Sequence, residues 1–133
     1  MELKHILDAV PFCADTLEEA NKIQAAAAEV GFDWNNIEDV ILKINEEIHE
    51  FKENADNSDR EKMIDEMGDV LMAVVNLSRF TGIEPGLALR RTINKFRKRF
   101  AAVEDELFTR GKTASSSTLE EMDAIWNNIK KNK

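Results

Sequence analysis

Apolar positions in this chain recur every three or four residues and never alternate with polar ones over a strand's length, so the pattern predicts helices. The clearest stripe is Leu89, Ile93, Phe96, Phe100, Val103 and Leu107, which alternates steps of four and three and wants a facing helix. Val40, Ile41, Ile44, Ile48 and Phe51 share one face of an earlier segment. Between them, Met63, Met67, Val70, Leu71, Val74 and Leu77 make a broader band. Thr16-x-x-Glu19, Asn35-x-x-Glu38, Ser58-x-x-Glu61 and Thr118-x-x-Glu121 fit the capping box, in which a side-chain oxygen takes an orphan amide and the acid bonds back. Gly31, Gly82 and Gly111 fall where a left-handed residue ends a helix. Helices are therefore expected at 17–30, 37–54, 59–81, 85–110 and 119–131.

With no repeat, low-complexity tract or interdomain linker, residues 1–133 read as a single all-α domain with 1–16 as a lead-in and Asn54–Ser58 as an ordinary helix–helix turn. The expected architecture is an antiparallel helical bundle of about five helices. A hairpin carrying these stripes cannot cover both the 89–107 seam and the 63–77 band, and the flanking helices are rich in Ala and polar residues. The leftover surface is expected to be buried against a second copy, so that dimerisation completes the core.

Charge narrows the function. The formal net charge of −8 argues against binding nucleic-acid polymers, which needs a basic surface to displace phosphate counterions. No apolar run approaches the ~20 residues of a membrane span. The opening Met1–His5 lacks the basic start and long apolar stretch of a secretory signal, and a single cysteine, Cys13, forms no internal disulfide. Cytoplasmic location is the expectation.

Candidate chemistry lies between residues 46 and 69, where ten acids face only Lys52, Arg60 and Lys62. Glu46, Glu47 and Glu50 share one helix edge, within about 100° of each other. Glu66 and Asp69, about 60° apart, border the apolar band of the next helix. Two antiparallel helices joined by a short loop would bring these edges together, and the carboxylates would repel unless a cation lay between them. Oxygen ligands without Cys or His favour Mg²⁺, with Mn²⁺ a substitute. A merely solvated acidic face is the plain alternative. Against it, Glu66 and Asp69 sit beside the apolar band, and Gly68 between them costs ~1 kcal/mol in a helix interior, which close approach of a backbone or ligand would explain.

Glu46-Glu47-x-x-Glu50 followed by Glu66-x-x-Asp69 resembles the signature of the MazG nucleoside triphosphate pyrophosphohydrolases, an all-α superfamily that includes dimeric dUTPases. The likeness extends to Val30-Gly31-Phe32-Asp33-Trp34, Gly68-Asp69-Val70-Leu71 with Val75-Asn76-Leu77, Ala88-Leu89-Arg90-Arg91, Lys95-Phe96-Arg97-Lys98-Arg99-Phe100, and Glu120-Glu121-Met122 through Trp126. It covers about residues 17–131 and is most similar to the second of the two copies in long MazG proteins, with one copy here. The resemblance implies divalent metal held by Glu47, Glu50, Glu66 and Asp69. It also implies nucleotide contacts from Lys43, Glu46, Lys62, Asp65, Lys95, Arg99 and Trp126. The implied reaction is NTP + H₂O → NMP + pyrophosphate, with the metal polarising the α-phosphate and acidifying the attacking water. Glu46, left outside that metal shell, is the candidate for orienting or deprotonating the water, or else for a second metal. The implied role is house-cleaning of the nucleotide pool by a homodimer that can pair into a tetramer.

The residues themselves agree in part. Lys95 and Arg99 are i, i+4 and present two cations on one flank, within a basic island whose Arg90, Arg97 and Lys98 read as a solvated or salt-bridging face. Trp126 could stack on a base, yet it shares a stripe with Met122, Ile125 and Ile129 and, considered alone, reads more often as core. Two other readings compete. A ferritin-like di-metal carboxylate protein would use Glu46-x-x-His49 and Glu2-x-x-His5, but needs two such pairs on packed core helices, and His49 reads as a boundary histidine. A non-catalytic helical interaction module would have no reason to keep converging acids with Lys95 and Arg99.

Overall fold

The computed structural model describes residues 5–55 and 59–132. Five α-helices follow in order: α1 (Thr16–Glu29), α2 (Ile37–Ala55), α3 (Arg60–Phe80), α4 (Pro85–Thr109) and α5 (Leu119–Lys131), with 3₁₀ turns at Ile6–Ala9 and Ala114–Ser116. No strand occurs among the described residues, and each helix starts and stops within a residue of its expected bounds.

The caps are less as expected. Asp15, not Thr16, caps α1: its carboxylate accepts from the amides of Leu17 (3.1 Å) and Glu18 (3.2 Å), and Glu19 reaches back to the Cys13 amide (2.7 Å). Asn36, not Asn35, accepts from the Asp39 amide at the start of α2 (2.9 Å). Asp59 caps α3 through the Lys62 amide (3.2 Å), and Ser58 lies outside the described residues. Each start offers adjacent cap-forming residues, and at α1 and α3 the role falls to Asp15 and Asp59, whose extended backbone immediately precedes the first turn. Thr118 caps α5 as expected, through the Glu121 amide (3.1 Å). Glu121 does not bond back. Its carboxylate instead accepts from Ser117 (2.8 Å), Lys112 (3.0 Å) and Arg110 (3.1 Å), and these donors, Lys112 foremost, pull it down to about 2.

The glycine stops hold. Gly31, Gly82 and Gly111 have φ of 93°, 75° and 73°, a region that L side chains avoid. After α1, the Gly31 amide bonds to the Ala28 carbonyl and the Phe32 amide to that of Ala27, both at 3.0 Å. The same paired closure ends α3 and α4, as the Schellman motif requires.

The chain divides into two compact units, residues 1–88 and 89–133. In the first, α2 and α3 pack as a hairpin and α1 lies along α3. Gln24 of α1 donates to the Met72 carbonyl (3.0 Å), and Val40 and Val75 are buried. In the second, Val103 and Leu107 of α4 and Ile125 of α5 form a buried cluster flanked by Met122, Trp126 and Ile129. The apolar stripes are only partly covered: Met67, Leu71 and Val74 on α3, and Leu89 and Phe96 on α4, stay exposed. No helix among the described residues is long and apolar enough to cross a membrane.

Candidate metal site and adjoining cavity

The α2–α3 hairpin runs antiparallel, because Asn54 of α2 meets Glu66 of α3 while Glu47, two turns earlier, reaches Asp69. That register brings three acids together. One carboxylate oxygen each from Glu47, Glu66 and Asp69 lies within 4.8 Å of the others. Glu47 is 7% exposed, the one buried charged side chain among the described residues. Lys43 Nζ donates to Glu47 Oε1 (3.0 Å), and Asn54 Nδ2 donates to Glu66 Oε1 (2.8 Å) and to the Glu50 carbonyl (3.0 Å). The second oxygens, Glu47 Oε2 and Glu66 Oε2, are buried with no partner among the described residues. Leaving such a group unsatisfied costs about 1–3 kcal/mol, more when it is charged. A cation held among the three carboxylates would offset that cost, and an all-oxygen set suits a hard divalent ion.

Glu50 belongs to the same field. The charge of Glu47, then burial, then the charges of Glu46 and Glu66 raise its carboxyl above the ordinary value, with Lys43 opposing. Lys43 is itself raised, chiefly by its hydrogen bond to Glu47. Glu46 is exposed and 3.7 Å from Lys43 Nζ. Lys62 and Asp65 are exposed near the start of α3. His49 turns to Glu53 (3.1 Å) in solvent and joins no acid cluster, which removes the histidine that a ferritin-like centre needs; Glu2 lies outside the described residues. Gly68 departs from expectation. A Cβ there would meet nothing within 4 Å, so no neighbouring backbone of this chain explains the glycine.

In the second unit, Lys95 is exposed and Arg99 lies with its guanidinium carbon 6.0 Å from the Trp126 ring centroid. Phe96 tilts against the same indole at 5.2 Å, and the indole packs on the buried Val103–Leu107–Ile125 cluster. Trp126 therefore serves the core on one side. Among the described residues, Arg90, Arg91, Lys95, Arg97 and Lys98 form no ion pair, so the basic island is solvated rather than salt-bridged.

Sequence reasoning did not foresee a cavity of about 450 Å³ in the first unit, walled by Ile23, Gln24 and Ala27 of α1, Phe32 and Trp34 of the following loop, and Met72 and Asn76 of α3. Asp33 and Arg79 also line it and form an ion pair, and the Arg79 guanidinium holds the Asp33 carboxyl below its usual range. Arg79 also donates to Asn76 Oδ1 from Nε (3.1 Å) and Nη2 (2.9 Å). The one signal in the sequence was the Phe32-Asp33-Trp34 run, but nothing local announces that Asp33 meets a partner 46 residues away.

A family model described as the MazG nucleotide pyrophosphohydrolase domain matches residues 35–103. The chain is 39% identical over 127 residues to a nucleoside triphosphate pyrophosphohydrolase of Escherichia coli (strain K12), covering 94% of this chain and 48% of that protein. It is 40% identical over 114 residues to a nucleoside triphosphate pyrophosphohydrolase/pyrophosphatase MazG of Thermotoga maritima, covering 86% of this chain and 44% of that protein. The chain thus spans about half the length of the curated relatives it matches.

Proposed function

Since the chain belongs to the MazG nucleotide pyrophosphohydrolase family, we propose that it hydrolyses nucleoside triphosphates to nucleoside monophosphate and pyrophosphate, using a divalent cation at the Glu47–Glu66–Asp69 cluster with Glu50 as fourth ligand. The observation that carries this reading is the pair of buried, partnerless carboxylate oxygens on Glu47 and Glu66. Mg²⁺, or Mn²⁺ in its place, supplies when bound the polarisation of a phosphoryl oxygen and a water of lowered pKa. Around it, Lys43 and Asn54 hold the ligating carboxylates in position through their outer oxygens. Glu46, exposed beside Lys43, orients the attacking water and takes its proton. The family resemblance assigns Lys62, Lys95 and Arg99 to neutralising the polyphosphate and the departing pyrophosphate. Asp65 and Trp126 complete the nucleotide contacts that the family resemblance assigns.

We place the nucleoside end in the 450 Å³ cavity. Asp69, Met72 and Asn76 follow one another at steps of three and four along α3 and share one face. The cavity therefore begins about one turn, or ~5 Å, beyond the acids within the same unit. The exposed apolar positions Met67, Leu71 and Val74 support a homodimer, with a tetramer open to it. Clearing unwanted nucleotides in the cytoplasm is the role this reading assigns.

A panel of canonical, deoxy and damaged NTPs with Mg²⁺, resolving NMP and pyrophosphate from NDP and phosphate, tests the reaction. Pyrophosphate release that stops in EDTA is expected. Full turnover in EDTA would sink the metal, and no turnover of any nucleotide would favour the non-catalytic interaction module.

A further inference from the structure

Asn76 is built into the cavity wall in a fixed orientation. Its Oδ1 accepts two hydrogen bonds from Arg79, whose guanidinium can only donate, so the amide cannot be flipped without setting donor against donor. Arg79 is held in turn by its ion pair with Asp33. That leaves Nδ2 as the polar atom Asn76 can offer a ligand. Among the described residues Nδ2 has no partner, nor is it one of the occluded side-chain atoms. The rest of the wall is largely apolar, from Ile23, Ala27, Phe32, Trp34 and Met72, with Gln24 bringing in a buried Oε1 that has no partner among the described residues. The cavity thus offers an aromatic and aliphatic slot for a planar ring, with a fixed donor on the α3 side.

We propose that Asn76 positions the base by donating from Nδ2 to the acceptor that every natural base carries next to its glycosidic bond, N3 of purines or O2 of pyrimidines. The proposal rests on the reading that the cavity receives the nucleoside. Two features select this edge. The acceptor lies on the side of the base nearest the sugar and phosphates, and Asn76 lies on α3 seven residues, roughly 10 Å of helix, from Asp69. A donor reading this position cannot distinguish the four bases by acceptor type, because all of them present one there.

The test compares dATP with 3-deaza-dATP, which lacks N3 and is otherwise nearly the same shape, on the wild type and on Asn76→Asp. The aspartate keeps an oxygen for Arg79 and loses the donor. Wild-type kcat/KM should fall about five- to tenfold on 3-deaza-dATP, as expected for one lost neutral hydrogen bond. Asn76→Asp should lose at least tenfold on dATP, dGTP, dCTP and dTTP by similar factors, mostly through KM, and lose little more on 3-deaza-dATP. Equal wild-type turnover of dATP and 3-deaza-dATP would overturn the proposal, as would losses that simply multiply or fall on one base alone. The wild-type arm needs no variant, so a poorly folding Asn76→Asp does not blunt it. If no dNTP released pyrophosphate, the hydrolase reading would fail by itself. Calorimetric Kd values for Mg²⁺-dATP and Mg²⁺-3-deaza-dATP would then carry the same comparison, with equal affinities, or no binding of either, as the overturning result.

Discussion

Glu50 shows how the acid cluster stores its own unfavourable energy. Its carboxyl is raised chiefly by the charge of Glu47, so the ionised form pays a repulsion that a cation removes. Glu50→Gln and Asp69→Asn should each cut kcat/KM by two orders of magnitude or more with helicity intact by circular dichroism. The metal-free melting temperature should rise, and the further increase on adding Mg²⁺ should shrink. Lys95→Ala and Arg99→Ala should raise KM and also lower kcat, since their charges serve ground and transition states alike. Wild-type kinetics in both would reduce the island to a solvated face. Trp126→Ala is expected to lower the melting temperature first, because the indole packs on the Val103–Leu107–Ile125 cluster. Unchanged stability with raised KM would make it a substrate platform instead.

Among the elements, the loop between α4 and α5 gathers three donors on one carboxylate, that of Glu121. Lys112, Ser117 and Arg110 lower Glu121 to about 2 from an ordinary 4.5. A carboxyl depressed on folding stabilises the native state fully above its unfolded value, and that contribution disappears as pH falls through the folded one. The difference in melting temperature between the wild type and Glu121→Gln should therefore be largest above pH 4.5 and close progressively toward pH 2. Thermal melts across that range would show it, and a constant difference would mean the ion pairs are idle. Helix packing in the same unit is expected to be costlier to disturb. Leu107 is 0% exposed, and Leu107→Ala should lose about 2–5 kcal/mol in denaturant unfolding.

For the whole molecule, apolar surface left uncovered is the prominent fact. Leu71 is 55% exposed and Phe96 56%, more than a lone domain of this size ordinarily leaves in contiguous stripes. Sedimentation at micromolar concentration should give a dimer or tetramer of the 15.1 kDa chain, and Leu71→Lys should shift it toward monomer. A stable, active monomer of the wild type would refute the assembly.

What could be read from the sequence was what neighbouring residues decide. Helix periodicity, the glycine stops and the Glu46–Asp69 motifs all act over three or four positions, and each helix bound followed from them. Even so, local rules left ties, and the backbone chose Asp15 over Thr16 and Asn36 over Asn35 as caps. Those rules narrowed the ten acids to Glu46, Glu47, Glu50, Glu66 and Asp69 on two edges, but not to the three whose oxygens meet. Glu47, Glu66 and Asp69 meet while Glu53 pairs with His49 in solvent, because the register of α2 against α3 is set by side-chain packing across the hairpin. The cavity is more remote still. Its wall needs Trp34 from a loop, Gln24 from α1 and Asn76 from α3, joined through the Asp33–Arg79 pair. Periodicity carries no information about contacts so distant along the chain, and only the packed tertiary structure decides them.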